Sequence, residues 1–229
     1  MAHDRVEAVE RALTVLAAFD PEVRALSLAE LAAATGFYKS TILRLARSLE
    51  RFGFLIRAPD GSFRLGPELW RLGSLYRRDH DLGEYVRPAL RRLRDQSAES
   101  ASFYIRDGDR RVCLYRIDST REIRHHLDEG TQLPLDRGAA GHVLLALGGE
   151  PGDRYDRIRR RGYDISLGER DPDVAAVAVA VVTADRTLRG ALALSGLRSH
   201  FDKAFRKKCV GWLIAAATDL SASLSHLSP

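Results

Sequence analysis

GFYKSTILRLARSLERFGFLIRAPDGSFRLG, residues 36–66, decides the fold. In its first half Ile42, Leu45, Ala46, Leu49 and Phe52 recur at helical spacing. That spacing predicts a helix from about Tyr38 to Phe52, stopped by Gly53. Its opposite face carries Ser40, Thr41, Arg44, Arg47 and Ser48, with Lys39 in the first turn. The second half, FLIRAPDGSFRLG, reads as two short strands joined by a tight turn at Asp60-Gly61. Between Phe37 and Gly66, Lys39, Arg44, Arg47, Arg51, Arg57 and Arg64 stand against only Glu50 and Asp60. One short segment therefore holds most of the chain's net charge of +5.

Upstream, Val6, Val9, Leu13, Leu16 and Ala17 predict a first helix between Val6 and Phe19, closed before Pro21. Ser27 with Glu30 three residues later is a capping box opening a second helix, whose apolar face is Leu28, Leu31 and Ala32. Gly36 ends it as a C-terminal cap. Three helices and a hairpin, with the short turn TGF between the second and third helices, outline a winged helix-turn-helix. In that frame the helix N-terminus and hydroxyls approach phosphates, and an arginine one turn later reaches base edges or backbone. Arg57 and Arg64 sit on the wing, where they neutralise phosphates or enter a minor groove. A merely solvated basic helix is the alternative, and the agreement of cap, turn, hydroxyl pair and hairpin weighs against it. The expected DNA-binding residues are Ser27, Lys39, Ser40, Thr41, Arg44, Arg47, Ser48, Arg57 and Arg64.

Downstream, PELWRLGSLYRR predicts a further helix, and the charged RRDHD breaks its pattern, placing a hinge near Arg77 to Asp81. Another helix follows from about Leu82 to Gln96. From Ala101 the periodicity becomes two. FYIRDGDRRVCLYRI is a hairpin turning at Asp107-Gly108, and REIRHHLDEGTQLPL reads as a third strand with a terminal loop. Helices are expected at GAAGHVLLAL and DRYDRIRRRG, then two strands turning near Asp185, then a long terminal helix. The fold class is α+β, an antiparallel sheet with flanking helices behind the helix-turn-helix. The domain boundaries are 1–66 for the winged helix, 67–81 for the linker helix and hinge, and 82–229 for the second domain.

Chemistry beyond binding is hard to find. Cys113 and Cys209 lie far apart and match no disulfide or zinc spacing, so they read as buried thiols in a reducing compartment. MAHDRVEAVERAL has no apolar signal core, and VAAVAVAVV falls well short of the ~20 residues of a membrane span. A cytoplasmic protein without membrane partners is expected. ALALSGLRS lacks a nucleophile elbow, and no phosphate-binding loop or dinucleotide fingerprint appears. No catalytic residue, metal site or cofactor is expected. On a strand, His125 and His126 would point to opposite faces, whereas Arg124 and His126 would share one, open either to solvent or to a carboxylate ligand. Tyr104 shares a face with Ser102 and Arg106 and is either a second candidate pocket residue or a core tyrosine with a satisfied hydroxyl. The run RIRRRG at 157–162, flanked by Asp153, Asp156 and Asp164, reads as a solvated face.

SLAELAAATGFYKSTILRLARSLERFGFLIR resembles the winged helix of the isocitrate lyase regulator (IclR) family of bacterial transcription factors. GTQLPLDRGAAGHVLLAL and RIRRRGYDISLGERDPDVAAVAVAVV with GALALSG resemble segments of that family's second domain, so the likeness runs from about Val6 to Leu224. The resemblance implies a GAF-like effector domain that binds a small metabolite, an organic or aromatic acid. It also implies a homodimer or dimer of dimers on a pseudo-palindromic operator, with RNA polymerase as a further partner and a catabolic operon as target. Lys39-Ser40-Thr41 and Arg44 match the family's recognition helix. Tyr104, Arg124, Gly138, Ala139, Ala140, Gly141, Ala176 and Ser195 would line the effector pocket. Asp136 and Arg137 precede Gly138 where a histidine and small hydroxyl are common, and His142 replaces a basic residue. Ala176 and Ala193 suggest a pocket of low polarity for a larger, partly aromatic ligand. The competing classes are a metabolite-converting enzyme with an incidental helix-turn-helix and an architectural DNA binder without an effector.

Overall fold

The computed structural model of the chain describes residues 5–20, 23, 25–79, 82–123 and 126–225. It divides into two compact units, 1–80 and 81–229.

The first unit contains α1 (Glu7–Ala17), α2 (Leu28–Thr35), α3 (Lys39–Arg51), β1 (Leu55–Arg57), β2 (Phe63–Leu65) and α4 (Pro67–Asp79). Its core gathers Val15 of α1, Leu31 of α2, Ile42, Leu45, Ala46 and Leu49 of α3, and Leu55 and Phe63 of the hairpin. The hairpin is anchored from behind. Leu26, in the connection before α2, exchanges both backbone hydrogen bonds with Phe63, at 2.9 and 2.8 Å. A third short strand-like contact therefore seats the wing on the helices. One expectation about a face changes here. Phe52 is 66% exposed, because α3 ends at Arg51 and its C-cap turns the ring outward. On α1, Val6, Val9 and Leu13 are exposed, whereas Val15 is buried and Ala12 and Leu16 pack against the core.

The second unit contains α5 (Leu82–Ser97), β3 (Ser100–Asp107), β4 (Arg110–Ile117), β5 (Gln132–Pro134), α6 (Ala139–Leu147), α7 (Asp153–Arg161), β6 (Tyr163–Leu167), β7 (Val174–Val182), β8 (Leu188–Leu197) and α8 (Lys203–Leu224). The strands form one antiparallel sheet in the order β5-β4-β3-β8-β7-β6. Helices α5 and α8 cover one face, packed on Phe103, Tyr115, Val177, Val179, Leu192 and Leu194. Helix α6 covers the other, against Tyr104, Cys113, Ala178, Ala191 and Ala193. The alternation of valine or leucine with alanine along β7 and β8 thus sends large side chains to one layer and small ones to the other. The small-residue face lets α6 approach and leaves space beside its N-terminus.

The strand expected across 121–135 shrinks to β5, three residues long. Residues 118–123 carry no strand, and Arg124 and His125 lie outside the described residues. His126 is an exposed loop residue whose Nε2 lies 3.1 Å from Asp128 Oδ1. The face-sharing expected of Arg124 and His126 thus falls partly outside the described residues. The sequence reading also lacked β6, an edge strand fully paired to β7.

Candidate DNA-reading face and ligand cavity

In the first unit the turn before α3 is fixed locally. Ser27 Oγ accepts the Glu30 amide at 3.2 Å, and Glu30 Oε2 accepts the Ser27 amide at 2.7 Å. The Ser27 hydroxyl, expected at DNA, is thus engaged in the cap of α2. Gly36 takes a left-handed conformation (φ 72°), as the C-cap of α2 requires. Thr35 Oγ1 donates to Leu31 O at 2.6 Å and accepts from the Phe37 amide at 3.3 Å, which aims the chain into α3.

Lys39, Ser40, Arg44, Arg47 and Ser48 are exposed on the outward face of α3, and Thr41 is half-buried at its margin. Among the described residues no ion pair engages Lys39, Arg44 or Arg47. Charges left bare along one helix face are available to phosphates and base edges. On the wing, Arg57 is opposite Phe63 and its guanidinium lies 5.6 Å from that ring, while Arg64 is opposite Ile56. Neighbouring register positions alternate, so the two arginines serve opposite faces of the hairpin. Tyr38, the N-cap of α3, is 86% exposed, and Arg51 extends the arginine row one turn beyond Arg47. Neither stood among the expected contacts, although the four-residue spacing from Arg47 marked Arg51.

In the second unit a cavity of about 40 Å³ opens between the small-residue face of the sheet and the start of α6. Of the residues expected there, Tyr104, Gly138, Ala139, Ala140, Ala176 and Ser195 line it. Gly141 lies one position deeper in α6. The lining is more polar than its alanines suggested, because Arg111 of β4, Ser166 of β6 and Arg170 also face the space. The void has room for more than one water.

Arg111 dominates the cavity. It is 4% exposed, its Nη1 donates to Pro134 O and, at 2.6 Å, to Arg137 O, and its guanidinium lies 5.6 Å from the Tyr104 ring. Its Nε is buried with no hydrogen-bond partner. Burial presses its pKa below the ordinary arginine value, the Arg170 charge pushes the same way, and Tyr104 and Asp136 push back. The glycines of GAAG make room for this side chain. A Cβ on Gly141 would lie 2.2 Å from Leu135 O and 2.5 Å from Arg111 Nη1, and Gly138, at φ 83°, lies against Nη2.

A polar layer supports the turn. Gly138 donates its amide to Glu169 Oε2 at 3.2 Å, and Glu169 Oε1 accepts from Arg154 at 2.7 Å. His142, 1% exposed, sets Nδ1 2.8 Å from Asp164 Oδ2 and Nε2 3.0 Å from Asp136 O. Burial raises the Asp164 pKa, but the hydrogen bonds from His142 and the Ile165 amide, with the His142 and Arg161 charges, outweigh it and leave it lowered. Burial pushes the Cys113 thiol up to about 11 and Cys209 to about 12, so neither is a nucleophile at neutral pH. Among the described residues no group of three metal-ligating side chains gathers, and no helix is long and apolar enough to cross a membrane.

Arg111, Ser166 and Arg170 were not anticipated. Ser166 went with the unrecognised strand β6. Arg111 was hidden by a β-bulge: Phe103 pairs with Tyr115 but Tyr104 with Cys113, leaving Leu114 as the extra residue. Counting alternate residues back from Tyr115 therefore puts Arg111 on the wrong face.

A family model for the IclR helix-turn-helix domain matches residues 8–59. A model for the bacterial transcriptional regulator IclR C-terminal domain matches 75–155 and 152–222. The HTH-type transcriptional regulator XynR of Escherichia coli is 26% identical over 96% of this chain and 98% of its own. The HTH-type transcriptional regulator TtgV of Pseudomonas putida is 36% identical over 62% of this chain and 54% of its own. An IclR homologue from Microbacterium hydrocarbonoxydans, solved in complex with 4-hydroxybenzoate, shares the fold with a TM-score of 0.82 at 19% identity, over 97% of this chain and 100% of that one.

Proposed function

Since the chain belongs to the IclR family of HTH-type bacterial transcriptional regulators, we propose that it binds an operator through the outward face of α3 and the wing, and that a small molecule in the second-unit cavity governs this binding. The cationic face of α3, with Ser40, Arg44 and Arg47 exposed and the arginines in no ion pair among the described residues, carries the DNA half of the reading. The cavity at the α6 N-terminus supports the effector half, as does the bound 4-hydroxybenzoate in the Microbacterium homologue. By linkage, the effector acts only by binding the DNA-competent and incompetent states with different affinity.

A homodimer, or a dimer of dimers, on a pseudo-palindromic site is part of the proposal. The outward apolar residues of α1 and the exposed Trp70, Leu72, Leu75 and Tyr76 of α4 support it, because such surface is costly to leave in water. The operator's position relative to a promoter would decide whether RNA polymerase is blocked or recruited, with catabolic genes as the expected targets. The cavity is read as a sensor rather than a reaction centre, and recovery of the ligand chemically unchanged after long incubation tests that.

Fluorescence anisotropy with DNA from upstream of the chain's own gene and its neighbours tests the whole reading. Tight, sequence-selective binding is expected, lost in an Arg44→Ala, Arg47→Ala double variant and modulated by a metabolite panel. Equal affinity for unrelated DNA, unchanged in the double variant, would sink it.

A further inference from the structure

We infer that Tyr38 is a specificity-determining residue of the DNA-reading face, its ring packing against the C5 methyl group of one thymine in each half-site. This rests on the reading of α3 as the helix that reads an operator, and it names one base that the helix prefers.

The fold has no use for an aromatic ring at this position. Tyr38 is the N-cap of α3, where Ser, Thr, Asp or Asn is preferred because a short side-chain oxygen accepts a helix amide. The Tyr38 side chain makes no such bond. Its part in the cap is backbone alone, the carbonyl accepting from the Thr41 and Ile42 amides at 2.9 and 3.1 Å. Packing does not call for the ring either. At 86% exposure it is the most exposed large hydrophobic side chain among the described residues, and no hydrogen bond or ring contact among them engages it.

The ring is nevertheless held in a fixed place. On one side, Gly36 closes α2 in its left-handed conformation, the Phe37 amide donates to Thr35 Oγ1, and the Phe37 ring packs against the core. On the other side α3 begins at once. A side chain presented from a turn pinned at both ends is pre-organised for a contact. The contact open to it is narrow. N-terminal residues of a recognition helix meet base edges in the major groove. Lys39 and Ser40, exposed beside the ring, suit phosphates and polar edges. The apolar face of the ring suits the one apolar group that a major-groove edge offers, the methyl of thymine. The competing role belongs to the hydroxyl, which a phosphate oxygen could accept from.

The test selects preferred duplexes from a randomised pool with the full chain, as wild type, Tyr38→Ser and Tyr38→Phe. Binding is then measured by anisotropy with each thymidine of the selected site replaced in turn by deoxyuridine. Uracil keeps thymine's pairing and polar edge and lacks only the methyl. One replacement per half-site is expected to weaken wild type by about fourfold, the effect of burying one methyl-sized group. Tyr38→Ser should bind the two duplexes equally and select sites without preference at that position, while Tyr38→Phe keeps the discrimination. Tyr38→Ser should also melt no lower than wild type, because serine is the better cap. Discrimination unchanged in Tyr38→Ser, or absent from wild type at every thymine, overturns the assignment. A loss of affinity on all duplexes that is as large in Tyr38→Phe as in Tyr38→Ser makes the hydroxyl the working group and overturns it too. In these cases sequence-selective binding that depends on Arg44 and Arg47 leaves the reading of α3 standing. If wild type selects no sequence, that reading and this inference fall together.

Discussion

At the level of single residues, Arg44 and Gly141 make the most specific demands. Arg44 stands exposed one turn into α3, where a guanidinium reaches base edges. Arg44→Ala is expected to weaken operator binding by about 1–3 kcal/mol and to relax preference at one base position, read by anisotropy against single-base operator variants. Uniform weakening across the variants would instead make Arg44 a phosphate contact. Gly141→Ala places a methyl group against the Leu135 carbonyl and the Arg111 guanidinium, so backbone must shift. A loss of about 1–3 kcal/mol in folding stability is expected, with weakened ligand response, measurable by denaturant titration of the apo and liganded protein. The glycines of GAAG were legible as a motif in the sequence. Their physical reason was not, because it lies in a side chain some thirty positions away that is folded against them.

Elements were legible where periodicity agreed with a cap or a following helix-stopping residue, as in the first three helices. They failed where neither was strong. The five-residue β6 follows directly on the C-cap of α7, and an edge strand that short leaves little pattern. The bulge at Leu114 leaves no sequence mark at all, yet it reverses the faces of half of β4. Two elements also permit direct tests. Helix α2 is only eight residues long, so its capping box matters more than in a longer helix. Ser27→Ala should cost about 0.5–2 kcal/mol, and thermal melting compared with an exposed serine control such as Ser48→Ala checks it. The turn joining β7 to β8 depends on Asp185, which accepts from the Thr183 and Thr187 hydroxyls and the Thr187 amide. The Thr183 hydroxyl, the largest influence, helps hold its pKa at about 2, below the ordinary 3.8. A depressed carboxylate contributes stability above its unfolded value and loses it as pH falls through the folded one. Asp185→Ala should therefore lower the melting temperature at pH 7, with the difference from wild type fading between about pH 4 and pH 2.

At the scale of the molecule, charge and layering set the behaviour. The basic residues of 36–66 give DNA binding a strong electrostatic component, so log affinity should fall linearly with log salt. Removing a phosphate contact lowers that slope by about one, and Arg47→Ala is expected to do so while preserving the rank order of operator variants. A slope unchanged in that variant would take Arg47 out of the interface. The layering of the second unit has a consequence for descent. Along β7 and β8, adjacent residues answer to different neighbours: Val177 and Leu194 belong to the layer under α5 and α8, while Ala176 and Ala193 border the cavity. Selection can therefore enlarge or shrink the chamber one alanine at a time while the opposite layer, which holds the unit together, stays as it is. A sheet of this kind lets a lineage exchange one chemical signal for another without first rebuilding its scaffold.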